Sequence, residues 1–248
     1  MTLMTLLWLV SIRLKNVSIV DPFWGFGFVL VSTYYYTASP VSASRPRLVL
    51  LLVAIWGLRL WLHLLIRNWN KGEDYRYVQF RKDYGESRYW WFSFFQVFLL
   101  QGFLMWIISA PLLAAMYFGA TDGMNVLDGI GIILWSIGFV FEAGGDFQLT
   151  QFKKDPNNKG KLLTSGLWKY TRHPNYFGDA AIWWAFGCFS LASGSYVPML
   201  SSLLMTWLLL KVSGVALLER NLKKQKPGYE AYIQKTSAFL PWFPKKNA

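Results

Sequence analysis

The stretch Gly166-Leu167-Trp168-Lys169-Tyr170-Thr171-Arg172-His173-Pro174-Asn175-Tyr176-Phe177-Gly178-Asp179 packs a guanidinium, an imidazole, an amide, two phenols and a carboxylate into its last ten residues. Pro174 suits the first turn of a following helix, whose free N–H groups and positive end favour an anion. Lys153, Lys154, Lys159 and Lys161 add cations just upstream. Attraction to lipid headgroups accounts for the lysines, but not for Asn175, Tyr176 and Asp179 beside Arg172 and His173. The set points to a site for a soluble, negatively charged small molecule. Two carboxylates, Glu142 and Asp146, precede it at i, i+4 and share one helix face, where they repel unless a cation or hydrogen-bond donor meets them. Arg59 and His63 repeat that spacing, either as half of an ion-paired lock between helices or as the polar wall of a ligand cavity. Asp21, in Val20-Asp21-Pro22-Phe23-Trp24, reads as a helix start or as a buried acid. Lys211 and Glu219 lie in or near the last apolar run.

These residues stand among long apolar runs, and ionisable groups at membrane depth cost several kcal/mol unless they face a cavity or a partner. The chain has 248 residues, 54% hydrophobic and 15% charged, with 14 Trp, 13 Tyr and 19 Phe. That composition excludes disorder and an ordinary soluble domain. One cysteine, Cys188, excludes an internal disulfide, and two distant histidines make a Cys/His metal site improbable, so no metal is expected. A spanning helix needs about 20 apolar residues. Six segments qualify, at 17–38, 47–66, 94–118, 126–145, 177–193 and 196–218, and the run Met1 to Ile12 forms a seventh, partial span. The net charge of +12 follows this layout: of the 25 Lys and Arg, 21 lie on alternating connections of one side and two on the other. This is the signature of membrane topology rather than of nucleic-acid binding, and it puts the C-terminus in the cytoplasm. The fold expected is an all-α, polytopic membrane bundle of six to seven helices, forming one domain over 1–248 with a cofactor-binding cap at about 126–248. Asn16-Val17-Ser18 matches a glycosylation sequon but falls on the cytoplasmic side, where it is idle.

The run Arg172 to Asp179, with Glu142, Asp146 and Lys153 ahead of it, resembles the C-terminal region of the steroid 5-alpha-reductase and sterol reductase family. The whole chain resembles the bacterial branch called DUF1295, through Val20-Asp21-Pro22-Phe23-Trp24-Gly25, Gly72-Glu73-Asp74-Tyr75-Arg76-Tyr77 and the tail from Gly214 to Pro241. The resemblance implies reduction of a carbon–carbon double bond of a steroid-like or other lipid by NADPH in a bacterial inner membrane. By position, it gives Glu142 and Asp146 the cofactor's ribose or amide, and Lys153 and Arg172 its phosphates. Asn175 and Asp179 line the pocket, Trp183 packs near the nicotinamide, and Tyr170, His173, Tyr176, Lys211 and Glu219 complete the set. Where steroid enzymes hold the substrate carbonyl with a Glu and a Tyr from early helices, this chain has Trp56 one turn before Arg59. Asp21, Arg59 or His63 then takes the catalytic, carbonyl-polarising role.

A second resemblance shares the cap. Arg172, His173, Pro174, Tyr176 and Gly178, followed by Glu219, Tyr229, Tyr232 and Pro241, are similar to membrane methyltransferases that modify isoprenylcysteine or phospholipid headgroups with S-adenosylmethionine. Against it stand Asp146 and Lys153 at reductase-like spacing and a lysine-rich loop suited to a cofactor with three phosphates.

Overall fold

The computed structural model describes residues 1–40, 43–118, 123–212 and 214–245, apart from the side chains of Leu217, Asn221 and Lys224. Among the described residues every regular element is helical. Contacts divide the chain into two units, Met1–Gly123 and Met124–Ala248.

The first unit contains α1 (Thr2–Leu14), α2 (Phe23–Ala38), α3 (Ser44–Asn68), α4 (Tyr75–Tyr84), α5 (Glu86–Ser93), α6 (Leu100–Ile108) and the single turn α7 (Ala110–Leu113). A π-helical stretch, Phe94–Leu99, carries α5 into α6. α2 and α3 meet backbone to backbone at Gly25 and Gly57, where a Cβ on Gly57 would lie 2.6 Å from the Gly25 carbonyl oxygen. Such close approach holds apolar helices together in lipid, where hydrophobic burial gives no drive. The outer face of α3 shows why lipid must be the solvent: Leu51, Ile55, Leu58, Leu62 and Ile66 are all exposed, one stripe at helical spacing.

The second unit contains α8 (Val126–Lys154), α9 (Pro174–Ala192), α10 (Leu200–Trp207), α11 (Val215–Gln225) and α12 (Tyr229–Lys235). Asn125 and Asp128 close a capping box at the start of α8. The buried positions of that helix, Asp128, Gly131, Trp135, Gly138, Glu142 and Gly145, alternate in steps of three and four, a seam for one partner helix. The partner is α9. Gly131 faces Phe189, Gly138 faces Gly178 and Ile182, and Gly145 faces Pro174. Val126, Ile130, Ile133, Ile137, Val140 and Phe147 are exposed on α8, about 32 Å from first to last at 1.5 Å per residue, a membrane's thickness of apolar surface. The seam therefore places Glu142 and Asp146 on the dry side of a spanning helix, toward its polar end.

Gly178 is where that seam is tightest. A Cβ there would run into the Glu142 backbone nitrogen and the Gly138 carbonyl oxygen, neither of which can swing away. Gly178→Ala is expected to lower stability by about 3 kcal/mol, the upper range for forcing a methyl into a packed interface. An unchanged unfolding midpoint in detergent would show that α8 and α9 separate at no cost.

The chain forms the expected all-α membrane bundle, with differences in the spans. Four stretches are long and apolar enough to cross: Val17–Ala38, Ser44–Asn68, Glu86–Ile108 and Val126–Lys154. The first and second match the segments read at 17–38 and 47–66. The third begins earlier than residue 94, because Tyr89 to Phe92 extend the apolar run, and it ends at Ile108, capped by Ser109, after which α7 starts a new turn with Pro111 near its beginning. α8 runs past residue 145 to Lys154, its polar end continuing the same helix. The segment read at 177–193 is α9, whose Gly178 and Asp179 lower its hydropathy. The segment read at 196–218 is broken into a short 3-10 turn, α10, a π-helical stretch at Leu208–Val212 and, after Gly214, the separate α11. Ser213 in that segment, and most of the connection at 119–125, lie outside the described residues. α1, with 13 residues, reaches about 20 Å, less than a full crossing.

Candidate functional site

The start of α9 gathers the polar residues of the second unit. His173 precedes the helix with a non-helical backbone and Pro174 takes the first position, where a missing N–H costs nothing. Asn175 then works in two directions. Its Nδ2 donates to Asp146 Oδ1 at 3.2 Å, and its Oδ1 accepts from the Tyr176 backbone N–H at 3.1 Å. This fixes which side of the amide faces α8. Glu142 and Asp146 are buried, 3% and 6% exposed, so the two carboxylates are neither in lipid nor in bulk water. Asp179 is half-buried and the Trp183 ring is fully buried further along the same helix. The loop before α9 is held against α8 by Trp168, whose Nε1 donates to the Gly145 carbonyl, and by Gln148, whose Oε1 accepts from the Leu167 N–H.

Beside this pair lies a buried ionic cluster. Arg172 donates from Nε and Nη2 to Glu219 Oε1 at 2.8 and 2.6 Å, and from Nη1 to the carbonyls of Ile233, at 3.2 Å, and Thr236. His173 Nε2 lies 3.2 Å from the same Glu219 oxygen, and its ring stacks on Tyr176. Burial would raise the Glu219 carboxyl, but the hydrogen bonds from His173 and Arg172, and their charges, hold it below the usual carboxylate range. The neighbouring Tyr229 phenol is pushed up to about 12, first by burial and then by the Glu219 charge. The tail is strapped to the same place. The Arg172 N–H donates to the Ser237 carbonyl, and the Thr171 hydroxyl reaches the carbonyls of Ala238 and Phe239.

The residues singled out from sequence are thus distributed unevenly. Asp146 joins Asn175, and Arg172, His173 and Glu219 join one another. Arg172, expected to face phosphates, turns all three guanidinium nitrogens to partners inside the protein, because the end of α12 presents two carbonyls that need a donor beside Glu219. Lys153 and Lys211 are exposed, and Tyr170 stands in an aromatic hollow with Phe243.

In the first unit Asp21 is already bonded twice, accepting from Arg76 Nη2 at 2.9 Å and from the Tyr77 hydroxyl at 2.7 Å. The Tyr77 oxygen accepts from Gln101 Nε2 at 3.2 Å, and Gln101 Oε1 accepts from Trp24 Nε1 at 2.6 Å. Burial, then the Asp21 charge, push the Tyr77 phenol well above its ordinary value, so it stays a neutral donor. Glu73 ties the same loop down, accepting from the Val17 N–H and from Arg81. Asp21 thus fixes the orientation of the Tyr77 hydroxyl and the Arg76 guanidinium. Arg59 and His63 are half-buried on α3. Local sequence does not show Tyr77, Arg76, Gln101 and Trp24 as a connected network, although two of its segments, 20–25 and 72–77, carry family motifs.

An acid–amide pair and a buried Arg–Glu–His cluster at one helix start, in an all-helical bundle with lipid-facing stripes, define a helical membrane protein with a polar cap site. The chain belongs to the DUF1295 family, described as a protein family of unknown function, whose model matches residues 7–236. It is 28% identical to an uncharacterized protein of Schizosaccharomyces pombe over 95% of this chain and 75% of that one. It is 35% identical to a probable O-methyltransferase, ustE, of Ustilaginoidea virens over 38% of this chain and 32% of the relative. It is also 34% identical to a delta(14)-sterol reductase of Methylotuvimicrobium alcaliphilum over 45% of this chain and 30% of the relative. The chain thus spans three quarters of the first relative and about a third of the other two. No solved structure matches it.

Proposed function

We propose that the protein is a membrane-embedded, NADPH-dependent reductase of a carbon–carbon double bond in a steroid-like or other lipid substrate. The observation that carries this reading is the part-buried Asp146–Asn175 pair with Glu142 one turn away on α8, beside a lysine-rich cap. Similarity to a sterol reductase supports the choice of reaction.

The residues fit the cofactor by chemistry. Carboxylate acceptors and an oriented amide suit ribose hydroxyls and a carboxamide, while exposed Lys153, Lys154, Lys159 and Lys161 suit phosphates. Arg172 takes a different part, since its guanidinium is committed to Glu219 and the tail, and it shapes the cap rather than binding phosphate. Bound NADPH would supply a hydride. What the chain supplies is a site that orients the cofactor, excludes water by its lipid-facing walls and offers fixed donors where charge develops; one such donor in a dry site is worth about 3–4 kcal/mol.

Lys153 is proposed to read the extra phosphate. Lys153→Ala is expected to weaken NADPH binding roughly tenfold while leaving NADH within a factor of about two, a difference of about 1.4 kcal/mol. Equal losses for the two nucleotides would move this lysine to the shared pyrophosphate or to lipid.

A second reading, an S-adenosylmethionine-dependent membrane methyltransferase, rests on the similarity to a probable O-methyltransferase. Titration of the purified protein in detergent separates the two. Saturable tryptophan quenching by NADPH and none by S-adenosylmethionine is the result expected of the reductase; the reverse overturns it in favour of the methyltransferase.

A further inference from the structure

The last described residues form a surface that the proposed function does not use. Leu240, Trp242 and Phe243 are 66%, 73% and 76% exposed, three large apolar side chains within four positions. They are held in this arrangement. The Trp242 N–H donates to the Tyr170 carbonyl at 2.9 Å, the Phe243 ring sits edge-on to Tyr170, and the Lys245 N–H donates to the Lys235 carbonyl. A segment fixed by hydrogen bonds with its apolar side chains outward calls for a partner.

Its depth identifies the partner. Pro241, Trp242 and Phe243 line a hollow of about 360 Å³ together with Tyr170, Leu167 and Phe141. Phe141 lies six residues before Phe147, the last residue of the lipid-facing stripe on α8, so it sits about 9 Å further than Phe147 from the polar end of that helix. The tail therefore borders the part of α8 that lipid already covers, and its surface continues that stripe. Lys169, Lys235 and Lys245, all exposed, flank it. Exposed aromatic side chains bordered by lysines suit a segment lying in the boundary between headgroups and acyl chains of an anionic leaflet.

We infer that Leu240–Phe243 is an interfacial anchor, with Trp242 and Phe243 among the upper acyl chains of an anionic leaflet and Lys169, Lys235 and Lys245 on headgroup phosphates. Because Thr236 to Phe239 supply the carbonyls that Thr171 and Arg172 use, the anchor also holds the strap over the cap. This inference is independent of which cofactor the cap binds.

The test uses the full chain in vesicles of phosphatidylglycerol and phosphatidylcholine. Cys188→Ser removes the native thiol, and a nitroxide is then attached through Trp242→Cys, through Phe243→Cys with Trp242 retained, or through Lys235→Cys. Oxygen-dominated relaxation with loss of collisions with a water-soluble nickel chelate is expected at 242 and 243, and chelate-dominated relaxation at 235. Omitting phosphatidylglycerol should shift both apolar positions toward the chelate. Chelate access at 242 and 243 equal to that at 235 would overturn the anchor. Spin–spin broadening between labels would overturn it in favour of a second copy of the chain on this surface, and a depth signature indifferent to phosphatidylglycerol would overturn the role of the lysines.

Discussion

Replacing Arg172 by alanine should destabilise the protein by about 3–5 kcal/mol, the usual loss when one partner of a buried ion pair is removed. Arg172 is 7% exposed and its partner Glu219 19%. The substitution takes the guanidinium away from the Glu219 carboxylate, which keeps its contact with His173, and it strips the Ile233 and Thr236 carbonyls of this donor. Arg172→Lys restores the charge but cannot offer the planar fork that reaches Glu219 and two carbonyls at once, so it should recover less than half of the loss. Unfolding midpoints in detergent measure both. A full recovery with lysine would mean that charge alone matters and that the strap is held by its backbone bonds.

The same cluster makes a pH statement. The folded Glu219 pKa is depressed, so its contribution to stability is fully present above the ordinary glutamate value of about 4.3 and is lost as pH falls through the lower folded value. The stability difference between the native chain and Glu219→Gln should accordingly be flat above pH ~5 and shrink below pH ~4. A difference that grows on acidification would contradict the pairing.

How much of this was legible in the sequence depends on the range of the interaction. The i, i+4 spacing of Glu142 and Asp146 shows directly that they share a face, and the block from Arg172 to Asp179 at a helix start shows where their partner lies. Both are local patterns with a helical period. The choice of partner inside the block is different. Arg172 is the strongest phosphate ligand by side-chain type, yet Glu219 and the tail carbonyls claim it from more than forty residues away, and no local spacing encodes that. The Asp21 network is hidden for the same reason, since Arg76, Tyr77 and Gln101 come from the basic loop and a later helix and pass for topology cations and belt aromatics. The span boundaries suffered from a third cause. Hydropathy reports apolar length, whereas helix ends are set by local breaks such as Ser109 and Gly214 and by polar residues that continue α8 beyond the lipid.

Asp146→Ala and Asn175→Ala are each expected to weaken the cofactor at least about fivefold while the protein stays folded, which would place the binding function on a pair rather than on one residue. Losing Asp146 removes the acceptor of the Asn175 Nδ2, and losing Asn175 removes a donor from a buried carboxylate. Either defect costs about 1–3 kcal/mol, roughly a fivefold to 150-fold change in Kd if it is felt on binding. The two should not add. Because each residue orients the other, the double variant should lose about as much as the worse single one, a coupling of about 1–2 kcal/mol in a double-mutant cycle of nucleotide titrations. Asn175→Asp is the stringent control: it keeps size and the capping oxygen for the Tyr176 N–H but sets a second carboxylate against Asp146, so it should bind more weakly than Asn175→Ala. Retained affinity in all three single variants would remove the nucleotide from the α8–α9 seam, whatever the protein then proves to bind.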